Sequence, residues 1–134
     1  MGGIVPNPLA AGALKFAAYV AYGALLRRSA ETPRSAVAFG ALRAAAGWGV
    51  GGVTLAIASS FEAPTELLQY APYAAMSISR ILLWLVLIRS YFRPSGGRRA
   101  LLAWTGVGLI LSIATDAIIF GVFPDVELLR MTVC

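Results

Sequence analysis

The stretch that decides the fold is residues 81–111, which read ILLWLVLIRSYFRPSGGRRALLAWTGVGLIL. Two apolar runs flank a short turn that contains one proline, two adjacent glycines and three arginines. Proline and paired glycines interrupt helices, so the runs on either side are predicted to be separate helices. Each run extends to about 20 residues, the length that a helix needs to cross a ~30 Å hydrocarbon core. This stretch therefore predicts a helical hairpin with membrane spans at about residues 73–92 and 100–123.

The first half of the chain has the same layout. Predicted spans at about residues 9–26 and 35–60 flank a turn that contains Arg27, Arg28, Pro33 and Arg34. Of the 134 residues, 59% are hydrophobic and 13% are charged, whereas soluble domains carry about a quarter charged residues. The predicted fold class is an all-α integral membrane protein, with residues 1–134 forming a single domain. This domain is a four-transmembrane-helix bundle built from two helical hairpins with short loops.

The loops differ sharply in charge. Seven of the eleven Lys and Arg residues lie in the turns within the two hairpins, whereas the connection between the hairpins carries Glu62 and Glu66. Under the positive-inside rule, the basic loops are cytoplasmic and both termini lie on the non-cytoplasmic side of the cell inner or plasma membrane. A short helix on the membrane surface is predicted at residues 61–71. The arginines lie at the ends of apolar segments and form no basic face, so no nucleic-acid partner is expected.

The residue types that most enzymes use are scarce in this chain. It has no histidine, and its single cysteine is Cys134, so the commonest general base and metal ligands are missing. No glycine-rich phosphate loop, zinc-binding helix or pair of carboxylates on one face is present. We therefore expect no metal, no cofactor and no catalytic residues. A lipid-modifying enzyme with Asp116 as acid or base is the least favoured alternative, because no second catalytic group is evident.

Each predicted span carries one charged residue away from its loop end, namely Lys15, Arg43, Arg80 or Asp116. A charge near the bilayer centre costs roughly 2.5–3.5 kcal/mol on insertion scales, so such groups should face the bundle interior. With a rise of 1.5 Å per residue, Lys15, Arg80 and Asp116 lie about 9–12 Å from the outer boundary. Arg43 falls in the inner half and is expected outside this cluster. We hypothesise that Asp116 is ionised and held between Lys15 and Arg80. A glutamate of the outer loop, Glu62 or Glu66, is expected near the outer opening of this cluster.

Helical spacing adds polar and aromatic neighbours to this cluster, because residues three or four positions apart share a face. Two bases around one acid leave a positive excess, which favours an anionic ligand such as a carboxylate, a phosphate or a lipid headgroup. Trp48 is a further candidate for lining a cavity. The predicted ligand-binding residues are Lys15, Arg80, Asp116, Tyr19, Ser77, Ser112 and Trp84.

Glycines on the spans predict close contacts between helices, because small residues let helix backbones approach each other. Gly47 and Gly51 form a Gly-x-x-x-Gly pattern. This pattern is common by chance in a segment rich in glycine and alanine, and we interpret it as packing within the bundle. The predicted packing positions are Gly40, Gly47, Gly51 and Gly108.

These features favour a small transport or ligand-binding bundle with an outward-facing polar site for an anionic or amphiphilic small molecule. Four spans leave little room for a conduction path in one protomer, so transport implies a homo-oligomer. The alternative is a non-catalytic accessory or assembly subunit whose charged stripes pair with other membrane subunits. In a purely structural interpretation, the ion pairs only lock the bundle, and Lys15 and Arg43 extend toward the headgroups. In every case the lipid bilayer is the first partner.

Overall fold

A computed structural model of the protein describes residues 8–30, 34–60 and 71–122. Within these residues the chain forms four α-helices: α1 (Pro8–Arg27), α2 (Ala36–Ser59), α3 (Ala71–Tyr91) and α4 (Gly97–Val122). All four are long and apolar enough to cross a membrane, which confirms the predicted all-helical class. Their ends lie within three residues of the predicted spans. The predicted surface helix and the acidic loop with Glu62 and Glu66 lie outside the described residues.

Local signals explain where the helices near the basic loops begin and end. At the start of α2, the Ala38 N–H donates to the Ser35 hydroxyl at 3.3 Å, which caps the helix. Beyond α3, the Arg93 N–H donates to the Ile88 carbonyl at 3.2 Å, and Arg93 has a φ of 47°. Such a left-handed residue terminates a helix. Gly96 follows with a φ of 109°, a conformation that glycine adopts without steric cost.

Helix α1 packs against α2 and α4, and α3 packs against the same two helices. Two predicted glycines lie at close contacts. A Cβ added at Gly40 would lie 2.6 Å from Val20 Cγ2, and one added at Gly108 would lie 2.8 Å from the Trp84 ring. These positions hold α2 against α1 and α4 against α3. Two other predicted packing positions are also buried in the bundle: Gly47 and Gly51.

Aromatic and aliphatic side chains fill the interior at the end of the bundle that carries the basic loops. Tyr22 lies in the last turns of α1, Phe39 lies in the first turn of α2, and Phe92 directly follows α3. All three are at most 2% exposed. The interior therefore has an apolar half next to the basic loops and a polar half beyond it. We call the apolar half the aromatic plug, and its residues are Tyr22, Leu26, Phe39, Ile88 and Phe92.

The outer surface of the helices is apolar, as contact with acyl chains requires. Large apolar side chains such as Leu9, Val53, Val86 and Ile110 are exposed. Trp48 belongs to this surface, because 55% of it is exposed. The prediction that Trp48 lines a cavity is therefore wrong. The physical reason lies in the packing of α2 against α1, which turns Trp48 outward so that its ring edge lies beside Gly12.

The close contact at Gly108 predicts a strong effect of a single methyl group. Gly108→Ala should destabilise the protein by about 1–3 kcal/mol, because the Trp84 ring must move out of its packed position. Gly106→Ala is the matched control, since a Cβ at Gly106 meets nothing within 4 Å. The control should be neutral or stabilising by up to about 1 kcal/mol. Thermal unfolding in detergent micelles, followed by circular dichroism, measures both; equal stability of the two variants would contradict the packing described.

Candidate functional site

Three helices bring one acid and two bases together in the polar half of the interior. Lys15 Nζ on α1 lies 2.5 Å from Asp116 Oδ1, and Arg80 Nη1 on α3 lies 2.9 Å from Asp116 Oδ2. Each carboxylate oxygen of Asp116 on α4 thus faces a different cation. This arrangement is the one that helical spacing and matched depth predict. Removing one partner of a buried ion pair is costly, because it leaves the other charge uncompensated in surroundings of low dielectric constant.

The three members of this cluster differ in accessibility. The side chain of Lys15 is 4% exposed, that of Asp116 is 12% exposed and that of Arg80 is 19% exposed. Arg80 is therefore the most exposed member of the three. Its Nε atom is buried and has no hydrogen-bond partner among the described residues, so the guanidinium group retains an unused donor beyond its ion pair with Asp116. The cluster is therefore more completely covered at Lys15 on α1 than at Arg80 on α3.

Arg43 lies next to this cluster, although its predicted depth is in the inner half of the membrane. It is fully buried, and its Cζ atom lies 5.0 Å from the Tyr19 ring centroid and 4.7 Å from that of Trp84. Both distances are within the range of a cation–π interaction. Tyr19 and Trp84 each lie four residues, or one helical turn, from a member of the charged cluster. The side chain of Arg43 thus lies about one helical turn from the ion pairs of Asp116, outside them as expected, and its guanidinium group contacts aromatic rings.

The layer between the charged cluster and the aromatic plug contains polar atoms that are not satisfied by the described protein. Tyr19 Oη, Trp84 Nε1 and Ser112 Oγ are buried and have no hydrogen-bond partner among the described residues. Buried polar groups in proteins are nearly always hydrogen-bonded, to protein, water or ligand. Ser112 lies one turn from Asp116 on α4, and Trp84 contacts Gly108 one turn further along. These donors and acceptors therefore adjoin the charged cluster.

Packed rings form the floor of this layer. Tyr22 contacts Trp84 with ring centroids 5.0 Å apart in a T-shaped arrangement, and Phe39 contacts Phe92 at the same separation. The Tyr22 hydroxyl donates to the backbone carbonyl of Trp104 on α4 at 2.5 Å. Unlike Tyr19, Tyr22 thus has its hydroxyl satisfied by the protein. The aromatic plug separates the polar layer from the basic loops.

The remaining predicted site residues have different outcomes. Ser77 is exposed, so the prediction that it faces the interior is wrong. The reason is that neighbouring helices cover the early turns of α3 poorly, since residues 74–83 are all exposed or half-buried. Glu62 and Glu66, expected near the mouth of the site, lie outside the described residues. Tyr22, whose spacing of seven residues from Lys15 predicts that it lies on the same inward face of α1, is buried as expected.

Comparison of the chain with models of known protein families, with curated proteins and with solved structures gives no match. The geometry of the site is therefore the guide to its function. The defining features of the site are a carboxylate shared by two cations, a third cation stacked between two aromatic rings, and three buried polar atoms beside them.

Removing the shared carboxylate should destabilise the bundle strongly. Asp116→Asn leaves Lys15 and Arg80 without their counter-charge, and breaking a buried ion pair costs about 3–5 kcal/mol. Thr115→Val is the matched control, because the neighbouring hydroxyl donates only to carbonyls of its own helix. The control should lose about 1 kcal/mol or less. Unfolding in detergent measures both; an Asn variant as stable as the control would show that the ion pairs do not hold the helices together.

The two buried tyrosines of α1 should respond in opposite directions to loss of their hydroxyl groups. Tyr22→Phe removes the hydrogen bond to Trp104 and should destabilise the protein by about 1–2 kcal/mol. Tyr19→Phe keeps the ring that faces Arg43 and removes a hydroxyl with no partner in the described protein. Without ligand, this variant should therefore be neutral or more stable. Equal losses in both variants, measured by thermal unfolding, would contradict the assignment of an open polar layer.

Proposed function

We propose that this protein is a small polytopic membrane protein that binds an anionic or amphiphilic small molecule in an outward-facing polar site, and that it transports this molecule as a homo-oligomer. The observation that carries the proposal is the group of unsatisfied polar atoms beside the charged cluster. Ser112 Oγ, Tyr19 Oη and Trp84 Nε1 supply hydrogen-bonding capacity that no described protein group uses. Ligand sites combine an apolar wall with a few convergent polar groups of this kind.

Charge balance supports an anionic ligand. Among the described interior residues, Lys15, Arg43 and Arg80 are cations and Asp116 is the one carboxylate, and the other five acids of the chain lie outside the described residues. A carboxylate or phosphate group on a ligand brings this charge closer to neutrality. A guanidinium group binds such anions with two parallel hydrogen bonds. Arg80, the most accessible member of the cluster, is the proposed first contact.

The surroundings of Arg80 support an amphiphilic ligand in particular. Ile78, Ile81 and Leu82 on the same helix are 59%, 42% and 55% exposed. An apolar tail lying along α3 would pack against this surface in place of lipid acyl chains. The charged head would then reach Arg80 while the tail remains among acyl chains. Ser77, exposed one turn before Arg80, lies on the proposed approach to the site.

The proposed orientation follows from the loop charges and the position of the plug. Two helical hairpins with cytoplasmic basic loops would put both termini, and the polar half of the interior, on the non-cytoplasmic side. The aromatic plug then lies between the ligand site and the cytoplasm. Such an arrangement supports an outward-accessible binding state, in which the rings of Tyr22, Phe39 and Trp84 block passage to the inside. Movement of these rings would be needed for transport.

A ligand series with matched tails tests the proposed binding. Hexyl phosphate and hexanoate should raise the unfolding temperature of the purified protein in a concentration-dependent way, whereas hexyltrimethylammonium should not. Ser112→Ala should weaken anion binding about five- to tenfold, the effect of one lost hydrogen bond. Ser90→Ala is the control, because Ser90 is exposed and bonds the carbonyl of Val86 in its own helix. Equal effects of anion and cation, or unchanged affinity in Ser112→Ala, would overturn the proposal.

The composition of the purified protein separates this proposal from its alternative. Extraction in mild detergent followed by mass measurement should give a homo-oligomer without other subunits, and solute uptake should follow reconstitution into liposomes. Stoichiometric foreign subunits would instead favour the accessory or assembly role. The interior charges Lys15, Arg80 and Asp116 pair within the chain, between α1, α3 and α4, which supports the binding role over pairing with a partner.

The orientation is tested with tags on the two termini. Both tags should be accessible to a membrane-impermeant reagent added to whole cells, because seven arginines on the opposite loops disfavour translocation of those loops. A tag in the turn at residues 93–99 should be accessible only after lysis and serves as the internal control. A cytoplasmic C-terminus would contradict the proposed orientation.

A further inference from the structure

The end of the bundle opposite the polar site carries a dense group of arginines. Residues 27–34 and 89–99 contain seven arginines and one acid, Glu31, so their net charge is +6 (seven minus one). Glu31 lies outside the described residues, whereas all seven arginines are described and exposed. We call this group the basic platform, and its members are Arg27, Arg28, Arg34, Arg89, Arg93, Arg98 and Arg99.

Hydrogen bonds between the two loops join the platform into one surface. The N–H and the hydroxyl of Ser95 both donate to the carbonyl oxygen of Ser29, at 3.0 Å and 2.7 Å. Next to this contact, Ala30 and Pro94 form an antiparallel β-bridge. The loops of the two halves of the chain are therefore held at a fixed separation. We call this contact the loop junction.

An aromatic side chain strengthens the loop junction and holds one of the arginines. The Tyr91 hydroxyl donates to the Ser35 carbonyl at 3.1 Å. The guanidinium carbon of Arg34 lies 5.3 Å from the centroid of the same ring, within cation–π distance. Tyrosine rings of this kind are typical of the headgroup level of a bilayer. The platform therefore lies in the plane of the lipid phosphates if the four helices cross the membrane.

The residue type of the platform distinguishes it from a set of charges that only directs membrane insertion. All seven cations are arginine, and the single lysine of the chain, Lys15, lies in the interior. The positive-inside rule counts lysine and arginine alike. A guanidinium group differs from an ammonium group in its fork of donors, which matches a phosphate with two parallel hydrogen bonds.

We propose that three arginines of the basic platform, Arg28, Arg34 and Arg93, form a binding site at the loop junction for the phosphate groups of acidic membrane lipids. Arg28 and Arg93 adjoin the junction, one on each loop, and Arg34 is oriented beside it by Tyr91. A lipid phosphate at this position would receive guanidinium donors from both halves of the chain. Bound lipid would thereby link the two helix pairs at the membrane surface. This site is independent of the proposed interior ligand site, which lies beyond the aromatic plug.

Lysine substitutions test the proposal without changing the charge that sets orientation. The full-length protein in a neutral detergent is titrated with dioleoylphosphatidylglycerol, and bound lipid is counted by native mass spectrometry. The double variant Arg28→Lys/Arg93→Lys should bind this lipid about tenfold more weakly than the natural protein, because bidentate phosphate contacts are lost. Arg89→Lys, which changes a platform arginine one turn away from the junction on α3, is the control and should stay within about twofold.

A second variant changes the junction and leaves every charge in place. Tyr91→Phe/Ser95→Ala removes two of the hydrogen bonds between the loops and should also weaken phosphatidylglycerol binding, whereas Ser90→Ala should not. Dioleoylphosphatidylcholine should bind more weakly than phosphatidylglycerol throughout. Equal binding by the lysine double variant and the natural protein would show that only charge matters and would overturn the site. Inorganic phosphate that competes with the lipid at equal concentration would overturn its assignment to a lipid.

Discussion

The structure depends on one carboxylate held between two cations inside an apolar bundle. Asp116 on α4 forms ion pairs with Lys15 on α1 and with Arg80 on α3, so its side chain connects three helices. In surroundings of low dielectric constant, none of these charges is tolerated without the others. This constraint determines which faces of α1, α3 and α4 point inward. It also places the Tyr19, Trp84 and Ser112 polar atoms beside the charges, because each lies one turn from a member of the cluster.

The interior is divided along its length, and this division connects the fold to the proposed function. Toward the basic loops, packed rings and aliphatic side chains close the bundle. Beyond them, Arg43 lies between two aromatic rings, which provide a favourable environment for a buried cation. The charged cluster follows, and Arg80 is its most exposed member. In the proposed function, a ligand reaches this cluster from the outer face of the membrane, and movement of the rings would be required for its passage.

Helix positions were predictable because they follow from local signals. Apolar runs of membrane-spanning length, bounded by arginines, proline and glycine, predict each helix to within three residues. The ion-paired cluster was also predictable, since helical rise puts Lys15, Arg80 and Asp116 at one depth. Errors arose where orientation depends on packing between helices. Trp48 faces outward because of the way that α2 packs on α1, and Ser77 is exposed because the early turns of α3 are poorly covered.

By itself, the sequence determined the class of protein, the extent of its helices and the need to pair the interior charges, because these follow from the cost of exposing polar groups to hydrocarbon. Only the tertiary structure decided that Arg43 stacks on Tyr19 and Trp84 and that three buried polar atoms lie beside the ion pairs. It also decided that the basic loops join at Ser29 and Ser95. These contacts depend on the rotation of each helix about its axis and on side-chain reach, which a one-dimensional pattern does not specify.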